Sequence, residues 1–333
     1  MTKRTRYFLT GSAAVLATGL CTGLVAYYGG GFQALSASTG PNELDYVPAD
    51  AAVVGFADVR SIMSSELRQR FKQAVPMNDE VHQKFLEETG IDIENDIDYV
   101  VAAGAAPAVD GTSKPSGVVV ARGRFDAVRL EGLAVQHGAQ VQEYHGKRVL
   151  TLQHEGTEHA GMLAFLEPGL VAIGDAAGVR KAIDANASAQ TIRSNNEMMD
   201  LVADIERTNN AWAVGRFDLL QAQAKLPEQI ARQIPPVKWF AAAGHINGGI
   251  SAQIRAEAKD DQAGENLRGV LNGVISLARL QGQNDPKLNP LIQSLQLTGT
   301  GKTVQLSFAI PSEIFELMAP HVNGAKSIGV GVH

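Results

Sequence analysis

The chain of 333 residues is 45% hydrophobic, 19% charged and 6% aromatic, with 34 Gly, 13 Pro, one Cys and a net charge of -6. That length and apolar share suffice for one large or two ordinary domains with a sizeable core, and they exclude collagen, a disulfide scaffold and a disordered tail. An acidic balance without a basic patch also excludes a general nucleic-acid binder, which must release counterions from phosphates.

Lys3, Arg4 and Arg6 open the chain with no acid before residue 41, a charge of +3 that leaves -9 for the rest. Residues 7–28, 22 in number, then carry no charge. As a helix they span about 33 Å, enough for a hydrocarbon core of about 30 Å. Tyr7 and Tyr28 at its ends suit the two membrane interfaces, and the basic stub of residues 1–6 suits the cytoplasmic side. The segment is therefore expected to be an uncleaved signal anchor, single-pass in the inner membrane, with the bulk of the chain in the periplasm or outside. Secretion after cleavage near residues 34–38 is the alternative. Leu20 before Cys21 disfavours lipidation, and Thr5 separates Arg4 from Arg6, so there is no twin-Arg pair. The only Cys lies in this segment, which leaves the exported part without a disulfide, a thiolate metal site or a thiol nucleophile.

Residues 29–45 read as a flexible tether rich in Gly and Ser. A strand is expected over 52–57, then Asp58 as N-cap of a helix over 59–74, a second helix over 79–89 closed by Gly90, and a strand over 99–103. Strand 117–123 precedes a helix over 127–137 capped by Asp126. Strands over 149–153, 161–166 and 170–174 lead to a helix over 176–185 capped by Asp175. The order then repeats: Val54 to Val59 aligns with Val214 to Leu219, Tyr99 to Gly104 with Trp239 to Gly244, and Gly117 with Gly249. A helix over 262–280 carries Leu267, Val270, Leu271, Val274 and Ile275 at three- and four-residue spacings, one apolar stripe. A hairpin and a terminal helix over 311–318 close this half. The expected fold class is α+β: two similar units, residues 46–190 and 205–320, of mainly antiparallel sheet with helices on one face, after an N-terminal transmembrane helix and before a flexible tail at 321–333.

Several motifs imitate chemistry. Gly299, Gly301, Lys302 and Thr303 resemble the end of a phosphate loop, but Gln296 occupies the place of its first Gly and a strand pattern follows, so a hairpin turn is expected. His154 and His159 are five apart and interrupted by Gly156, which breaks the one-face geometry of a zinc-protease helix. Asp92, Glu94, Asp96 and Asp98 lack the EF-hand spacing and read as a solvated turn or strand face. His245 reads as partly buried, His137 as a helix-end residue, and Trp212 and Trp239 as core. There is no G-x-S-x-G elbow and no dinucleotide fingerprint.

Pro48 to Ala51, Thr89 to Ile97 and Leu170 to Asp175, together with the anchor and the acidic body, resemble a family of anchored bacterial envelope proteins, a domain of unknown function. The resemblance implies location and architecture and brings no catalytic residues. The expectation is a non-enzymatic, envelope-anchored protein, held in the lipid bilayer by residues 7–28, that binds an envelope protein or component and uses no cofactor, metal or nucleic acid. Two alternatives are a carrier or sensor of an apolar ligand such as a lipid, bound along the stripe of Leu267, Val270, Leu271, Val274 and Ile275, and an uncharacterised hydrolase.

Overall fold

A computed structural model describes residues 40–74, 79–105, 116–153, 160–217, 235–282 and 289–312. The expected anchor, most of the tether, the tail and the topology-setting Lys3, Arg4 and Arg6 lie outside the described residues. Among those described, no helix is long and apolar enough to cross a membrane. Regular structure begins before residue 46: Asn42–Tyr46 forms a 3-10 turn in which Glu43, Leu44 and Tyr46 are buried, so the expected tether does not extend to 45.

The first half runs β1 (Val53–Asp58), α1 (Val59–Met63), α2 (Glu66–Ala74), α3 (Asp79–Thr89), α4 (Ile93–Asp96), β2 (Ile97–Ala105), β3 (Ser116–Gly123), α5 (Ala127–Gln136), β4 (Gln140–Tyr144), β5 (Lys147–Gln153), β6 (Ala160–Glu167), β7 (Leu170–Asp175) and α6 (Ala176–Ser188). After α7 (Asn196–Ile205) come β8 (Ala211–Arg216), β9 (Val237–Ile246), β10 (Gly249–Ala258), α8 (Asp261–Gly282), α9 (Asn289–Ser294), β11 (Gln296–Thr298) and β12 (Thr303–Pro311). Pro311 closes β12, and most of the expected terminal helix lies outside the described residues.

The three acidic caps behave as their chemistry requires, each carboxylate accepting an otherwise orphaned helix N–H. Asp58 accepts from Ser61 at 2.9 Å, Asp126 from Arg129 at 3.0 Å and Asp175 from Gly178 at 2.8 Å. The helix expected over 59–74 breaks at Ser64 and Ser65. Ser64 Oγ donates to the Arg60 carbonyl at 2.7 Å, and Ser65 Oγ accepts from the Arg68 N–H at 3.2 Å, so the serines end one helix and start the next. Thr298 to Thr303 is the hairpin turn expected, with Gly299 and Gly301 both at positive φ.

The twelve strands among the described residues join one antiparallel sheet in the order β11-β12-β10-β9-β8-β1-β2-β3-β7-β6-β5-β4. From its centre the order mirrors itself: β1-β2-β3-β7 on one side, β8-β9-β10-β12 on the other. Val54 and Val214 face each other at the middle, with Gly55 opposite Ala213 and Val53 opposite Gly215. The alignment of Val54 with Val214 therefore falls on the symmetric position. Further out the alignment slips. Val53 faces Gly104 while its counterpart Ala213 faces Ala242, so Gly104 matches Ala242 rather than Gly244; one strand on, Gly117 matches Ile254 rather than Gly249.

Helices stand on both faces of the sheet, which corrects the expectation of one. On the first face Val54, Val101, Val120, Ala172, Trp212, Val214 and Trp239 pack with Val179, Ala182 and Ile183 of α6, Met198, Val202 and Ile205 of α7, and Leu44. On the opposite face Ala57, Val100, Ala121 and Val171 pack with Val59 and Ile62 of α1. The cause is in the strands: β1, β2, β3 and β7 carry apolar or small residues at successive positions, so both faces need cover. The buried 3-10 turn is held on the first face by Glu43 paired with Arg122, by Asp45 paired with Arg193, and by Tyr46 Oη donating to Glu167 at 2.9 Å. Burial, then the Glu167 carboxylate, pushes the Tyr46 hydroxyl above its ordinary value.

Candidate functional site

Residues directly opposed in a sheet share a face, so register alone builds the site. On the second face one row can be followed across every strand: Val141, Leu150, Leu163, Ile173, Val119, Ala102, Gly55, Ala213, Ala242, Ile254, Leu306 and Leu297. It contains no polar side chain. Large branched residues occupy the flanks, while the four central strands contribute only Ala, Gly, Ala and Ala. The face is thereby shaped as a trough, and between Ile173 and Ile254 it crosses seven strands, about 29 Å at roughly 4.8 Å per strand.

The trough is open to solvent. Val119 is 37% exposed, Ile173 53% and Ile254 44%, large values for branched residues inside a sheet. The neighbouring row, from Val171 through Ala121, Val100 and Ala57, is closed by α1 instead. Gly55 on the floor is not enforced by crowding, because a Cβ there would meet the Trp212 carbonyl oxygen at 3.6 Å and Ala213 Cβ at 3.8 Å, ordinary contacts. At Gly215, by contrast, it would meet Phe240 at 2.7 Å and the Ala52 carbonyl oxygen at 2.9 Å.

The helix α8 contacts β10, β11 and β12, and Arg268 fixes it by donating to the carbonyl oxygens of Gly301 at 3.0 Å and Thr303 at 3.1 Å. The expected single stripe is divided. Ile275 is buried and Leu267 and Leu271 half-buried, whereas Val270 and Val274 are exposed and continue into exposed Leu277 and Leu280. Apolar residues cover more than one side of this helix, and the sheet shields only one of them. Sequence reasoning found that ridge but missed Val119, Ile173 and Ile254; the alternation of Ile250, Ala252 and Ile254 with Ser251 and Gln253 is the signal that marks β10 as two-faced.

The acidic row is not a solvated face, since arginines engage three of its members. Asp98 pairs with Arg60 at 2.5 Å, Glu94 with Arg68 at 2.5 Å and Asp96 with Arg124 at 3.0 Å, while Asp92 caps α4 by accepting from the Glu94 N–H at 2.9 Å. A cleft of about 260 Å³ opens there, lined by Arg60, Met63, Ser64, Glu94, Asn95 and Arg124. Burial holds the Asp98 carboxyl above its ordinary range despite Arg60, raises Asp58 likewise, and with Asp58 beside it pushes the Tyr99 hydroxyl up to about 12. No group of three His, Cys, Asp or Glu able to hold a metal occurs among the described residues. His154 and His159 lie outside them, His137 caps the end of α5, and His245 is exposed rather than partly buried.

Compared with known proteins, the chain matches no family model, no curated protein and no solved structure.

Proposed function

We propose that this is an envelope-anchored, non-enzymatic protein whose acidic body, exported beyond a bilayer-spanning segment at residues 7–28, binds a partner protein of the envelope in the apolar trough. The observation that carries the reading is the uninterrupted apolar row with Val119, Ile173 and Ile254 left open to water. A partner that covers these residues gains about 25 cal/mol per Å² of apolar surface withdrawn from solvent. The mirrored strand order supports an internal duplication, two similar α+β units fused edge to edge through β1 and β8. The charge division and the resemblance to anchored envelope proteins support the location.

The second reading, a carrier of an apolar ligand such as a lipid, is favoured by the small floor of Gly55, Ala102, Ala213 and Ala242 and by the outward ridge of α8. One experiment separates the two. A photo-crosslinking residue is placed at Ile173 in the full chain and illuminated in intact cells, with Gln305 on the other face as control. A discrete protein adduct at 173 alone, abolished by Ile254→Asp, is the expected result; lipid adducts of the intact protein in native mass spectrometry select the second reading. Equal labelling at 173 and 305, or none, contradicts both.

A further inference from the structure

The two faces differ most in the second half of the sheet. There α7 covers β8 and β9 on the first face, through Val202 and Ile205 against Trp212 and Trp239. Beyond it the same face turns polar: Ser251 and Gln253 on β10 lie beside Ala309 and Ser307 on β12, and Ser307 beside Gln296 on β11. A cleft of about 460 Å³ opens over these strands, lined chiefly by His245, Ser251, Gln253, Ser294, Gln296 and Ser307. That volume falls within the roughly 300–1,000 Å³ of small-ligand sites.

The lining contains no Asp, Glu, Lys or Arg. Along the same face the guanidinium of Arg255 is already engaged by two carboxylates, donating to Asp204 at 2.8 Å and to Glu257 at 2.7 Å, and so is not free to hold an anion. Among the described residues, the side chains of His245, Ser251, Gln296 and Ser307 make no hydrogen bond, and Gln253 uses only its carbonyl oxygen, accepting weakly from Gln305 at 3.4 Å. Hydroxyls and carboxamides both donate and accept, so the cleft offers an array of unspent neutral groups spaced about 4.8 Å apart from strand to strand. A phosphate, carboxylate or cation would lose its hydration here without a charge in return. An apolar segment would find only Ala252, Phe308 and Ala309 among polar groups, whereas Phe308 gives a sugar ring one apolar contact. An uncharged polyhydroxylated chain loses little and exchanges water hydrogen bonds for protein ones.

We propose that this cleft binds an uncharged oligosaccharide, lying across β9, β10, β12 and β11 on the face opposite the trough. The full chain in nanodiscs, free of sugar-headed detergent, is titrated with tetra-N-acetylchitotetraose, maltotetraose and inorganic phosphate, read by saturation-transfer NMR. One of the two oligosaccharides is expected to bind saturably, with a Kd of about 1 mM or tighter, and Gln253→Ala with Ser307→Ala to weaken it about tenfold, the loss of two hydrogen bonds. Ser251→Ala with Gln296→Ala, farther from the buried strands, is a second variant expected to act alike should the first not fold. Ile173→Ser on the other face should leave sugar binding unchanged, so that failure of the trough reading and failure of this one are distinguishable. The proposal is overturned by saturation with neither oligosaccharide, by equal competition from phosphate, or by unchanged affinity in a folded variant.

Discussion

Trp212 offers the sharpest test of the sheet as a single cooperative object. It lies on β8, at the centre of the sheet, is 2% exposed, and stacks on Phe56 of β1 with centroids 5.5 Å apart; Phe56 in turn stacks on Tyr99 of β2 at 5.9 Å. The indole thus belongs to the packing of both halves. Burying about 250 Å² at about 25 cal/mol/Å² gives roughly 6 kcal/mol as an upper bound. The expected cost of Trp212→Ala is about 3–5 kcal/mol, a large part of the ~5–15 kcal/mol that a domain has in total. Trp212→Phe, which keeps a ring against Phe56, should cost about 1–2 kcal/mol. Guanidinium unfolding of the full chain in nanodiscs measures this by two probes. Far-UV circular dichroism reports every strand, and in the Ala variant fluorescence reports Trp239 alone, because the chain has two Trp. Coincident transitions at lower denaturant are expected. A loss under about 1 kcal/mol, or a Trp239 transition displaced from the dichroism, would refute the claim that the halves share one core.

Asp58 is held above its ordinary value first by burial and then by Asp98, while its carboxylate still caps α1. Its folded value exceeds its unfolded value, so its ionisation lowers stability as pH rises from about 4 to the folded value. Asp58→Asn keeps the cap, and its stability relative to the parent should grow across that window and then level off, whereas Asp58→Ala should follow the same pH course about 1 kcal/mol below Asp58→Asn, from the missing cap; urea titrations at pH 4, 6 and 8 would show a flat difference between Asp58→Asn and the parent if the folded carboxyl were not raised. Among the glycines, a Cβ at Gly178 would lie 2.4 Å from the Gly117 carbonyl oxygen, while at Gly132 it would meet nothing within 4 Å. Thermal melts should therefore show Gly178→Ala destabilised by about 2 kcal/mol or more and Gly132→Ala, in the interior of α5, stabilised by about 0.5–1 kcal/mol; equal melting temperatures for the two would count against the close strand-to-helix packing.

Much of the local structure was legible because its signals are local. Asp58, Asp126 and Asp175 announce their helices, Gly90 ends α3, and β3 and β7 are recognisable as apolar runs between turn residues. β4 was not, since Gln140, Gln142 and Glu143 give it no periodicity and only its partner β5 makes it a strand. α7 was passed over although Met198, Leu201, Val202 and Ile205 keep helical spacing; it occupies the join between the two expected units, and its buried face is needed to cover Trp212 and Trp239. The trough was illegible for a different reason. Each strand shows its own apolar residues, but that Ile173, Val119, Gly55 and Ile254 form one row depends on register between strands far apart in the chain. The polar cleft is hidden likewise, its Ser251, Gln296 and Ser307 reading singly as ordinary surface residues.

The adjacency of β1 and β8 also constrains how the molecule is made. Ribosomes deliver β1 through β7 before β8 exists, so the strand that ends at the middle of the sheet spends its first moments as a raw edge carrying Val53, Val54 and Phe56. Such edges recruit strands from other chains. Closure must wait for a partner distant in sequence, a slow step by the logic of long-range pairing. At high synthesis rates the β8 of one copy and the β1 of another present the same hydrogen bonds, so a reciprocally exchanged dimer is the expected by-product, visible as a second peak in size-exclusion chromatography.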